Sequence, residues 1–475
     1  MKFLKIYFVA VSLMFASCND FLDEQPISEI PAGEMWKTSR DAQAGVSEIY
    51  GLLRNALREN YWAWGEFRSD NFEKGAPTAV DQEMLMANLL TSTHRNASWT
   101  SLYRVINQTN LAIKYLPQVN MPSAADKNDL LGQAYALRAL SYLYAVKVWG
   151  NVPLLTSPIE NLKEGVYSRQ VSANRVLQEV IIPDLKKAET LINRTKNKER
   201  KKISIYGVWA IMADAYTWQH EYSLADQTID KMSHEPTFMR LETDIASLKR
   251  MFVEELKNKA PDFTPENDDY TSKELIFVLH YDMKEVGANG YSFMYQWFTG
   301  SGNRVAVLSN ALLSKFETGD LRKDIYAQNY QGGWELNKFI GGTISTTLNK
   351  TCEVAYPVYR YTDILLLQAE AKANLGKWEE ALDIVKKVRD RAGIGATTRS
   401  AASFANQDEV IDYILKERQV ELVGEGKRWF DLVRTNTWKK TMEPINGMND
   451  PRKVVFPVYY SHLIENPELE PNPGY

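Results

Sequence analysis

Residues 359–393 read YRYTDILLLQAEAKANLGKWEEALDIVKKVRDRAG, and their pattern predicts two helices, Tyr361–Leu375 and Trp378–Arg391, folded back on each other at Gly376-Lys377. The second helix is two-faced. Trp378, Ala381, Leu382, Val385 and Val388 recur at helical spacing opposite Glu379, Glu380, Asp383, Lys386, Lys387 and Arg389. Small residues at Ala369 and Ala381 allow the two helices to approach closely.

The separation of Ala369 from Ala381, with Leu365 one turn earlier, resembles tetratricopeptide spacing. The register recurs in the segment Ile205–Met232, where Trp209, Ala213, Ala225, Ile229 and Met232 keep the same offsets. Residues 124–149 are apolar or small on nearly every face, the mark of a central helix, and Gly150-Asn151-Val152-Pro153 stops it. The repeats are interrupted. Residues 58–95 and 258–303 carry aromatics, Gly, Asn and Asp without helical period, and Glu274–His280 reads as a strand. Long loops of this kind tend to carry function. The expected fold class is all-α, a tetratricopeptide-like helix-hairpin scaffold with long irregular loop insertions and minor β. A leader at 1–17 precedes one body, 18–475. Its scaffold covers about 40–235 and about 355–438, and its loop-rich insertion covers about 236–354.

At 475 residues the chain exceeds one ordinary core and needs either subdivision or repetition. Hydrophobic content of 44% and charged content of 24% exclude wholesale disorder and rods. With 56 Lys plus Arg against 60 Asp plus Glu, no broad basic field exists to draw nucleic acid. Residues 1–17, MKFLKIYFVAVSLMFAS, place Lys2 and Lys5 before a short apolar run, the pattern of a secretory signal. Phe15-Ala16-Ser17-Cys18 resembles a bacterial lipobox, which makes Cys18 the expected lipidation site. Cys352 is the sole other cysteine, so a lipidated Cys18 leaves no intramolecular disulfide.

The motifs of several chemistries are missing. The five histidines show no HxxxH or HExxH spacing, no CxxC pair exists, and neither a GxSxG elbow nor a complete nucleotide-binding glycine motif occurs. No cofactor and no metal is expected, and the acidic stretch at 265–269 lacks the spacing of a calcium loop. Carboxylates are plentiful, so two of them could in principle serve a glycosidase. Glu417–Glu425 reads instead as a set of solvated ion pairs on helix surfaces.

Five segments together resemble the SusD/RagB family. They are CNDFLDEQP after the leader, LRALSYLYAVKVWGNVPLLT (137–156), the opening hairpin, KERQVELVGEGKRWFDLVRTNTW (416–438) and KVVFPVYYSHLIENPELEPNPGY (453–475). The resemblance implies four tetratricopeptide-like helix pairs and a surface-exposed outer-membrane lipoprotein. Such a protein captures oligosaccharide and delivers it to a SusC-like TonB-dependent transporter. Asp20, Asp23 and Glu24 resemble the signals that export such lipoproteins to the outer leaflet. The alternatives are peptide as cargo, with the same transporter, or a surface glycoside hydrolase.

A sugar ring stacks its C–H face on an aromatic plane and offers hydroxyls to planar donors and acceptors. The stretch Tyr61–Asn71 supplies both, and Trp62 and Trp64 share a face if the chain is extended. The expected glycan-binding residues are Trp62, Trp64, Asp70 and Asn71, then Arg95 and Asn96 at the end of the same insertion, and Tyr291 and Trp297 in the second. The competing reading has these aromatics plugging loops onto the helices. Arg428, Asp431 and Arg434, spaced along one helix face, are expected to pair and hold the C-terminal helices together.

Overall fold

The computed structural model describes residues 35–75, 80–160, 167–196, 200–234, 239–257, 270–281, 297–298, 304–339 and 354–475. The leader, Cys18 and Tyr291 lie outside them. Four helix pairs follow one another along the chain. They are α1 (Ser39–Gly65) with α2 (Thr100–Tyr115), α3 (Ala124–Trp149) with α4 (Ile182–Leu191), α5 (Ile205–Trp218) with α6 (Tyr222–Ser233), and α7 (Tyr361–Asn374) with α8 (Trp378–Arg391). Two further helices close the stack, α9 (Gln407–Glu421) and α10 (Arg428–Arg434).

Local chemistry sets the ends. Thr38 caps α1 reciprocally, its hydroxyl accepting from Asp41 N at 3.2 Å while the Asp41 carboxylate accepts from Thr38 N at 2.8 Å. Ser123 caps α3, and Gly150 at φ +73° ends it. As the composition of α3 demands, nearly every residue from Gly132 to Trp149 is buried.

Side chains bond neighbouring pairs to one another. Arg138 of α3 meets Asp184 of α4 at 2.7 Å, and Lys147 of α3 meets Asp214 of α5 at 2.6 Å. Gln368 of α7 donates to Asp226 and Asp230 of α6 at 2.9 and 2.7 Å. The two registers seen in the sequence are therefore adjacent in space, although the insertion separates them in the chain. Ala213, Ala225, Ala369 and Ala381 are all fully buried.

The strands are short. β1 (Phe72–Lys74) pairs antiparallel with β3 (Ala306–Leu308), and β2 (Leu275–Leu279) pairs antiparallel with β4 (Tyr356–Arg360). β2 is the strand expected at Glu274–His280. β4 runs directly into α7 and anchors the insertion to the scaffold.

Two expectations need correction. Residues 58–65 are not a loop, because α1 continues to Gly65, and a further short helix occupies Val80–Met86. The Glu417–Glu425 carboxylates are not solvated. Glu421 is fully buried among Arg322, Arg360 and Arg391, with contacts of 3.0, 2.9 and 2.6 Å, and Glu425 pairs with Arg360 at 2.7 Å and with Lys338. Burial would raise the Glu421 pKa, yet the three guanidinium groups hold it far below the usual range. Helical periodicity marked these residues as a polar face. It could not show that Arg322, from the insertion, would cover that face with opposite charge.

Candidate functional site

The last turn of α1 brings Tyr61–Gly65 against the turn at Gly424–Gly426. A Cβ on Gly65 would stand 2.1 Å from the Gly426 carbonyl oxygen, so the close approach requires glycine. At about 100° per residue, Trp62 and Trp64 point to nearly opposite sides of the helix. Trp62 packs its ring against Tyr356, Phe298 and Trp297 at 4.7, 5.2 and 5.8 Å, and its Nε1 donates to Gly424 O at 2.9 Å. Trp64 packs against Trp149 at 5.1 Å and donates to Asn96 O at 2.8 Å. Both are 0% exposed. The shared face expected of an extended chain is absent, because the chain here is helical.

The structure does bring Trp297, of the second predicted set, against the aromatics of the first, with the rings turned inward. Trp297 is buried and also meets Phe67 at 5.1 Å. Asp70 accepts from Arg428 Nε at 2.8 Å and from Gln419 at 2.8 Å, and the same Gln419 amide donates to Asn71 Oδ1 at 3.0 Å. Asn71 in turn donates to Glu66 at 2.9 Å. Burial pushes the Glu66 carboxyl up to about 8, against hydrogen bonds from Asn71 and Gly426 that lower it. Asn96 is buried and donates to Asn60 Oδ1 at 2.7 Å. Arg95 is the exposed member, its side chain 51% accessible and its guanidinium bound to Glu59 at 2.5 Å and Asp81 at 3.1 Å. The Arg428, Asp431 and Arg434 stripe divides its partners. Arg434 meets Asp431 at 2.7 Å as expected, whereas Arg428 reaches past the helix to Asp70.

A second feature has no counterpart in the sequence reading. Between α1, the start of α3, Ile192–Thr195 and Lys202–Ser204 lies an open groove of about 600 Å3. A smaller recess of about 160 Å3 adjoins it, lined by Arg54, Lys201 and β2, and the two volumes share Ser47, Tyr50 and Lys202. One wall is a hydrogen-bonded relay. Tyr50 OH donates to Gln133 Oε1 at 2.7 Å and accepts from Ile203 N at 3.0 Å, Gln133 donates to Asp129 at 2.9 Å, and Asp129 accepts from Asn193 N at 2.9 Å. Ser204, the N-cap residue of α5, lines the groove with a buried hydroxyl that has no hydrogen-bond partner among the described residues. The available signal was Gln43, Ser47 and Tyr50, spaced along one face of α1, but the partners of that face come from distant segments.

The chain as a whole is similar to known proteins. A model described as the SusD family matches residues 293–475, and one described as starch-binding associating with outer membrane matches residues 20–217. The chain is 30% identical to SusD-like protein P38 of Formosa agariphila, over 99% of this chain and 98% of that one. It is 24% identical to SusD-like protein P2 of the same organism, over the whole of both. Among solved structures, a SusD superfamily protein from Bacteroides vulgatus superposes with a TM-score of 0.78 at 18% identity, covering 93% of this chain and 100% of that one. A laminarin binding SusD-like protein gives 0.75 at 20%, with the same coverage.

Proposed function

The chain belongs to the SusD family, and on that premise we propose that it is a non-catalytic surface lipoprotein. In this reading it captures oligosaccharide and delivers it to a SusC-like TonB-dependent transporter of the outer membrane. The observation that carries the reading is the relationship to a SusD-like protein at 30% identity along essentially the entire chain. The laminarin binding neighbour of the same fold supports glycan as the cargo class. In this reading attachment is by lipid on Cys18, the cysteine of the lipobox-like run Phe15-Ala16-Ser17-Cys18.

Binding without catalysis also suits the electrostatics. A glycosidase needs a carboxylic acid of raised pKa beside a second carboxylate, both open to substrate. Glu66, Asp184 and Asp431 have raised values, yet all three are buried, and the carboxylates of Glu417, Glu421 and Glu425 are spent on buried arginines and Lys338. Within the predicted set, Arg95 offers an exposed guanidinium to a ligand and Tyr291 stays a candidate. Trp62, Trp64, Asp70, Asn71, Asn96 and Trp297 brace the ground beneath. The test is purification of the tagged protein from native outer membranes. Co-purification of a TonB-dependent transporter and loss of membrane attachment in Cys18→Ala support the reading. A protein that is found alone, and that stays membrane-bound as Cys18→Ala, contradicts it.

A further inference from the structure

We infer that the groove between α1, α3, Ile192–Thr195 and Lys202–Ser204, continued by its adjoining recess, is a subsite for a chain of neutral sugar residues. The inference rests on the glycan-capture reading and locates part of it on the scaffold rather than in the loops. Size comes first, since small-molecule sites enclose about 300–1,000 Å3 and the main groove lies within that range at about 600 Å3. Shape is the second consideration. The two volumes meet at Ser47, Tyr50 and Lys202, so together they offer room for more than a single ring.

The lining chemistry selects the ligand class. Sugar hydroxyls both donate and accept, and the wall presents amides, a carboxylate and a phenol in one row. Their orientations are fixed before any ligand arrives, because Tyr50, Gln133, Asp129 and the backbone of Asn193 bond to one another in series. Such preorganisation lowers the ordering cost of binding. Tyr50 stands half-buried where the two volumes join, backed edge-on by Phe277 at 6.2 Å, and supplies an aromatic surface for sugar C–H groups. Ser204 adds a second, independent pointer: a buried hydroxyl at the head of a 14-residue helix that makes no cap bond of its own. Hydroxyls in that position ordinarily find a partner. Charges of both signs line the path, Asp126 and Asp129 in the groove, Lys201 in the recess and Lys202 in both, so no single field selects a polyanion.

The test uses four neutral hexaoses, β-1,3-gluco, α-1,4-gluco, β-1,4-xylo and β-1,4-manno, with amide exchange and calorimetry on the full-length protein. At least one should bind and slow exchange within residues 43–54, 192–196 and 200–204. Ser47→Trp, which fills the junction from an exposed helix position, should weaken that binding at least tenfold at unchanged Tm. If Ser47→Trp melts early, Gln43→Trp, one turn earlier on the same face, replaces it, and the wild-type exchange footprint decides independently. A hexaose that binds with its footprint elsewhere, and equally well to the blocked variants, overturns the subsite and leaves glycan capture intact. Failure of all four to bind wild type overturns the neutral-chain subsite, while glycan capture is decided by titration with a broader set of oligosaccharides. Protection of the groove by a peptide mixture but by none of the hexaoses overturns the ligand class.

Discussion

Arg428 clasps Asp70 across most of the length of the chain, Nε to Oδ1 at 2.8 Å and Nη2 to Oδ2 at 3.1 Å, with both side chains buried. Burial alone would raise the Asp70 carboxyl, but the Arg428 charge and the bonds from Arg428 and Gln419 hold it below its ordinary value. The pair ties the segment after α1 to the first turn of α10, and so closes the helical stack on itself. Removing one partner strands the other charge, which costs about 3–5 kcal/mol. Asp70→Ala should lower the unfolding free energy by that amount, read as a fall in the urea midpoint at unchanged slope, and Arg428→Lys, which keeps charge but loses the paired bonds, by less. Equal midpoints for Asp70→Ala and wild type would mean the clasp contributes nothing.

Glu66 makes stability depend on pH in a defined direction. Its folded pKa, about 8, exceeds the ordinary 4.5, so the folded protein binds the extra proton between those values. Stability from this group is therefore present below about 4.5 and lost as pH rises towards about 8. Glu66→Gln removes the dependence. Its Tm should exceed that of wild type more at pH 8 than at pH 5, and a difference that stays constant or reverses would refute the assignment.

Trp62 and Trp64 are core residues here, and truncating either should act on stability first. Trp62→Ala and Trp64→Ala should each cost about 3–5 kcal/mol. Arg95→Ala removes exposed ion pairs worth about 1 kcal/mol at most. Thermal melts of the three variants separate the cases, and a Trp62→Ala protein that melts with wild type would show that the ring is not packed as described.

Ala213 and Ala369 occupy matching positions in the third and fourth helix pairs, both without accessible surface. Ala213→Trp and Ala369→Trp should each destabilise by roughly 1–3 kcal/mol or more through overpacking. Retention of the wild-type denaturation midpoint in both would remove those alanines from the helix contacts.

The scaffold was legible because its signals are local. The alanine register of α5–α6 and α7–α8, the all-round apolar surface of α3 and the Gly150 stop are each read within one helix or hairpin. The site was not, because its determinants are contacts between distant segments. Nothing near Trp62 in the chain announces that Gly424, Trp297 and Tyr356 will enclose it. Aromatic-rich, glycine-containing sequence at 58–71 reads as a loop, whereas packing extends α1 through it to Gly65. The charged clusters failed for the same reason. Glu421 looks like one more surface carboxylate until Arg322, Arg360 and Arg391 converge on it from the insertion, β4 and α8.

Glycan capture without turnover is the central claim, and titration of the purified protein against a panel of oligosaccharides, followed by product analysis of each mixture, tests it most directly. The account predicts saturable binding of at least one glycan and recovery of that glycan uncut after prolonged incubation. Saturable binding of peptides alone, or the appearance of shortened sugar chains, would contradict it.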